Sequence, residues 1–179
     1  MKGSRTTNRS VRKKAIDSGS DPYLKDTSPV DLAECRICGA VYYKKRWSMK
    51  KMLAETVVAK GKTTVICPAC RKVRDKFVGG FVTIKGGFAK AHKDEILRLV
   101  KNKEGIAMRY NPLDRIIEIK EKGDSMEVFT TTEKLAQRIG RMLHKTFGGE
   151  VEYKWSESNL ARVSWSREAG VPPWAAVAP

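Results

Sequence analysis

Cys35-Arg36-Ile37-Cys38-Gly39-Ala40 and Cys67-Pro68-Ala69-Cys70-Arg71-Lys72 hold every cysteine of the chain, as two Cys-x-x-Cys pairs separated by 28 residues. A two-residue gap lets both sulfurs of a pair reach one metal ion at about 2.3 Å, and two pairs complete a tetrahedron. Gly39 suits the backbone angles of a tight knuckle, while Pro68 stiffens the second loop and removes an amide. The spacing predicts one structural Zn2+ held by Cys35, Cys38, Cys67 and Cys70, with a two- or three-stranded zinc ribbon between the knuckles. Structural disulfides and redox chemistry are the alternatives. The first suits an exported chain, and no leader-like segment precedes the pairs; the second needs only one pair, usually at a helix start after a strand. A closed four-thiolate site leaves no position for a reacting water, so the expected role of the metal is to hold a fold.

Outward from the cysteines, charge narrows the partner. The chain has 179 residues with 36 Lys/Arg against 20 Asp/Glu, net charge +16, and a pI near 9.9. Such a balance is typical of proteins that sit on polyphosphate, and it also occurs at membrane surfaces. Residues 1–76 carry +12, residues 77–155 carry +4, and residues 156–179 are balanced. The basic character therefore belongs to the arm and the metal module. At 41% hydrophobic residues the chain can build a core, with room for one small metal module and one globular domain. No apolar run approaches membrane-spanning length, and the expected location is cytoplasmic.

Residues 1–30 are expected to form a disordered basic arm and linker. Lys2, Arg5, Arg9, Arg12, Lys13 and Lys14 occur there with no acid among the first fourteen residues. Such a segment orders on a partner; a merely solubilising tail and a transit peptide are the other readings. Residues 31–76 form the expected zinc ribbon. Within it Val41-Tyr42-Tyr43 predicts a strand, and Lys44-Lys45-Arg46-Trp47 with Lys50-Lys51 makes a basic block with aromatics around it. Lysine and arginine neutralise phosphates, and tyrosine or tryptophan offers a face for an exposed base. Tyr43, Lys44, Lys45, Arg46, Trp47, Lys50 and Lys51 are thus candidate nucleic-acid contacts. Arg12, Lys13 and Lys14 of the arm join them, as do Arg71, Lys72 and Arg74 beside the second pair. At least one of Tyr42 and Trp47 is expected to pack the small ribbon core instead.

Residues 77–166 read as a compact α+β domain, and residues 167–179 as a Pro-Pro-Trp tail. A strand over 81–85 precedes a helix over 88–102, whose end Asn102 and Gly105 mark. His92 falls on that helix's apolar side. Strands over 115–120 and 125–129 flank a Lys122-Gly123-Asp124 turn. Thr130-x-x-Glu133 predicts a capping box for a second helix with Leu135, Ile139, Met142 and Leu143 as its buried stripe. Val151, Tyr153 and Trp155 alternate in a further strand, with a hairpin return from Leu160. The order β-α-β-β-α-β is the ferredoxin-like plan with an extra strand, and it leaves one sheet face open to a partner. It lacks the glycine-aromatic signature of an RNA-recognition motif over 81–85 and 115–120.

The cysteine pairs, the aromatic-basic insert with Trp47, Gly79-Gly80-Phe81 and Lys134-Leu-Ala-Gln-Arg-Ile-Gly140 together resemble the large-ribosomal-subunit export adaptor family, or nonsense-mediated-decay-three family. The similarity covers about residues 33–155. It implies a zinc-ribbon protein that engages the large ribosomal subunit and contacts ribosomal RNA. The four cysteines are what carries over residue by residue. Longer members have eight cysteines and a leucine-rich export tail, so export is not implied here. No nucleophile, paired-carboxylate or phosphate-loop spacing stands out, and the expectation is a binding protein, not an enzyme, with no small-molecule substrate. A transcription-type zinc ribbon binding DNA or RNA polymerase is the alternative.

Overall fold

Two sheets organise the chain, which the computed structural model describes over residues 21–25, 32–49, 63–155 and 160–170. The first sheet belongs to the cysteine segment. After a helical turn α1 (Pro22–Lys25), strands β1 (Ala33–Cys35), β2 (Val41–Tyr43), β3 (Arg46–Ser48) and β4 (Thr63–Val65) lie in the order β3-β2-β1-β4. β1 and β2 pair antiparallel across the first knuckle, β2 and β3 form a hairpin, and β4 runs parallel to β1. Helix α2 (Pro68–Arg74) starts at the second cysteine pair, with Cys67 as its N-cap. The module is therefore knuckle, hairpin and helix, where two loop knuckles were expected. Pro68 accounts for the difference, since its fixed φ and missing amide suit the first helical turn. α1 lies within the segment expected to be arm and linker, and the Tyr23 ring packs on Phe77 at 4.9 Å. Residues 1–20 lie outside the described residues.

The second sheet holds β5 (Gly80–Lys85), β6 (Ile116–Lys122), β7 (Ser125–Thr130), β8 (Glu150–Trp155) and β9 (Ala161–Ser166) in the order β6-β7-β5-β9-β8. Helices α3 (Gly87–Ala91) and α4 (Lys93–Tyr110) connect β5 to β6, and α5 (Glu133–Phe147) connects β7 to β8. A ferredoxin-like sheet would place β8 beside β5. Instead β9 takes that position, parallel to β5, and β8 pairs outside it. Burial explains the choice. Ala161, Val163 and Trp165 of β9 are fully apolar toward the core, whereas β8 alternates with Glu150, Glu152 and Lys154, charges that suit an edge.

Both long helices cover one face of this sheet. Val82, Ile84, Val128, Val163 and Trp165 meet Ile96 and Val100 of α4 and Leu135, Ile139 and Leu143 of α5 in one buried cluster. A Cβ on Gly140 would lie 2.5 Å from Val163, so only glycine lets α5 settle this close to β9. Trp165 is buried with its indole nitrogen donating to the Gly148 carbonyl at 2.9 Å.

Three local expectations change. The first helix breaks at His92, which is exposed and stacked on Phe88 at 4.1 Å, and α4 then runs on to Tyr110 instead of stopping near 102–105. Burial of Ala107 draws it past Gly105, whose helix penalty is about 1 kcal/mol. The cap of α5 is Thr132, which accepts from the Leu135 amide at 3.3 Å; Thr130 ends β7 and donates to the Gly80 carbonyl at 2.8 Å.

Candidate metal centre

The first knuckle closes through backbone hydrogen bonds. The Cys35 amide donates to Ala40 at 2.8 Å and the Gly39 amide to Cys35 at 2.9 Å, with Gly39 at φ +68°. β4 and α2 bring Cys67 and Cys70 opposite. The four sulfurs then lie within 4.8 Å of one another, Cys35, Cys67 and Cys70 buried and Cys38 half-buried. Cys35 and Cys70 sulfurs are 3.8 Å apart, and Cys38 and Cys67 sulfurs 3.7 Å. Both contacts cross between the pairs, so each links the knuckle to the helix.

These separations decide between the chemistries. A disulfide needs about 2.05 Å, and all four thiols are free. A tetrahedron with metal–sulfur bonds of about 2.3 Å has sulfur–sulfur edges of about 3.8 Å. The set fits a soft metal ion, and these four cysteines can hold one. The Cys67 amide donates to the Cys35 sulfur at 3.3 Å and the Cys70 amide to the Cys67 sulfur at 3.4 Å, fixing both thiolates. The hydrogen bond shared with Cys67 holds the Cys38 thiol down to about 4, while its partner Cys67 is pushed up. Burial pushes Cys70 up to about 12. With Cys67 and Cys70 both raised, a bound cation would favour their thiolate forms.

Two residues beside the cluster were not foreseen. Leu113, from the loop before β6, packs against the cysteines. Arg115 follows it, and its charge favours the Cys38 thiolate. Its Nε donates to the Pro112 carbonyl at 3.1 Å, while its Nη2 is buried without a hydrogen-bond partner among the described residues. A cation there suits a site that carries two net negative charges once four thiolates bind a divalent ion. The sequence offered no signal for this, because 44 residues separate Cys70 from Arg115.

The candidate nucleic-acid contacts separate into groups. Tyr43, Lys44, Lys45 and Arg46 are exposed together at the β2–β3 hairpin, with the Lys44 ammonium 5.4 Å from the Tyr43 ring centre. Trp47 points inward: it packs on the cysteine cluster and meets Tyr42, its cross-strand partner, at 5.3 Å. Lys72 is only 6% exposed. Its ammonium binds Asp21 and the Thr131 carbonyl, and faces the Tyr23 and Phe77 rings, so it joins α1, α2 and the larger sheet. Arg74 is exposed and paired with Asp75 at 2.7 Å, and Arg71 is half-buried. Arg12, Lys13, Lys14, Lys50 and Lys51 lie outside the described residues.

No family model matches the chain, and no curated protein or solved structure matches it. No helix among the described residues is long and apolar enough to cross a membrane.

Proposed function

We propose that this is a non-enzymatic RNA-binding protein in which a Zn2+-held module presents a cationic hairpin to folded RNA, with ribosomal RNA of the large subunit as the target class. The supporting observation is the hairpin tip. Lys44 and Lys45 sit at φ +48° and +61°, the left-handed pair of a two-residue turn in which Asn-Gly is the favoured choice. Lysines there are strained by roughly 1 kcal/mol each, and strain held by a rigid surround points to use of the side chains. Tyr43 and Arg46 flank them on the same tip, so an aromatic face stands among three cations. Four thiolates around a d10 ion make Zn2+ the fitting metal, and the closed set gives it a structural role.

Sucrose-gradient fractionation of cell lysate in low salt, probed for the protein, tests this. The expected result is co-sedimentation with the large subunit or its precursor, lost when Lys44, Lys45 and Arg46 are all alanine. Sedimentation only at the top, with promoter DNA or polymerase retained instead of ribosomal RNA, overturns it in favour of a transcription-type role.

A further inference from the structure

The geometry points to a second RNA contact, a stacking platform for two unpaired bases on the face of the five-stranded sheet that no helix covers among the described residues. It deepens the RNA-binding reading and rests on it. The register places Glu118, Phe129, Phe81, Arg162 and Lys154 in one row across β6, β7, β5, β9 and β8. Strand alternation sends Val82 and Val128 to the core, so Phe81 and Phe129 stand on the opposite face, half-buried and outside the core cluster. The strand over 115–120 is the edge strand β6 and not a central one. The central neighbours are β5 and β7, and each carries one phenylalanine.

The two ring centres are 6.1 Å apart, and each ring has its own cation. The Arg162 guanidinium lies 5.0 Å from the Phe81 centre and the Lys120 ammonium 5.4 Å from the Phe129 centre. Cation–π attraction at an exposed site is weak, so a base can enter between ring and cation while the cation turns to a phosphate. Acids share this face and partly offset its cations: Glu118 pairs with Lys120 at 3.5 Å and Lys76 at 3.8 Å, Glu152 pairs with Lys154 at 3.0 Å, and Glu127 stands opposite Lys120 across the strands. Two rings bracketed by cations are too small and too charged for the apolar centre of a protein interface, but they match single-stranded RNA in both charge and stacking. The Lys76–Glu118 pair brings the end of the cysteine segment to the edge of this face.

Binding of the full chain to a fluorescein-labelled 12-mer of uridines, followed by anisotropy across salt, tests the platform. Phe81→Leu with Phe129→Leu keeps the sheet apolar; it should weaken binding about tenfold or more with no change in salt slope. Arg162→Gln should reduce the slope by about 0.7. Ultraviolet crosslinking of the unaltered protein should place uridine adducts on the peptides containing Phe81 or Phe129, a readout that needs no variant to fold. If the folded double variant binds as the parent does, or adducts fall only at the hairpin, the platform is wrong and the hairpin reading stands. A parent chain that binds ribosomal RNA but not the 12-mer also overturns the platform alone; binding to neither overturns both. If the double variant instead loses self-association with RNA binding intact, the face belongs to a second copy.

Discussion

Lys72 and Lys44 are both lysines of a basic segment, yet one is enclosed and the other stands at a hairpin tip. Enclosure is tolerated because Lys72 has an acid, a carbonyl and two rings around its ammonium. Replacing it with methionine should lower stability by about 2 kcal/mol, since Asp21 and the Thr131 carbonyl lose their donor. The salt slope of RNA binding should not move. Urea unfolding and an anisotropy titration check the two halves; a stable variant with a flattened slope would return Lys72 to the RNA surface. Trp47 follows the same logic, as a core residue beside Tyr42 and the cysteines.

At the scale of the element, the β2–β3 hairpin sets stability against binding. Lys44→Asn with Lys45→Gly supplies the turn chemistry that φ values of +48° and +61° favour. The double variant should be more stable by about 1–2 kcal/mol. It should also bind single-stranded RNA more weakly, with a salt slope flatter by about 1.4 for two lost cations. Thermal melting and the same anisotropy titration report on both. Stabilisation without a change in slope would show that the tip does not meet phosphate. A gain in RNA affinity would contradict the functional reading of its strain.

At the scale of the whole molecule, the described parts of the two modules meet beside the cysteine cluster. Leu113 packs on the cysteines, and Lys72 reaches the Thr131 carbonyl. On the other side of that joint, the Thr131 amide donates to Arg115 at 2.9 Å and the Arg115 amide to the Thr131 hydroxyl at 2.9 Å. Chelating the metal, which can supply about 10 kcal/mol or more to such modules, should unfold the cysteine segment. It should also raise hydrogen exchange at Arg115 and Thr131, while Val82 and Val128 in the helix-covered core stay protected. Unchanged exchange at Arg115 and Thr131 would show that the two modules are energetically separate.

Local chemistry was legible in the residues themselves. Two Cys-x-x-Cys pairs carry their own spacing rule, and strands and helices announce themselves by periods of 2 and 3.6. The cysteines that cluster, most strands and the buried stripe of α5 were therefore readable one segment at a time. Pairing between distant segments was not. The charges of β8 suit an edge, but the strand that β9 joins is settled only when Ala161, Val163 and Trp165 are buried beside β5 and under α5. The helix at Cys67, the enclosure of Lys72, the placing of Arg115 by the thiolates and the meeting of Phe81 with Phe129 are of the same kind. A residue's composition sets what it can do, but its partner is chosen only when long-range packing brings two remote pieces of chain together.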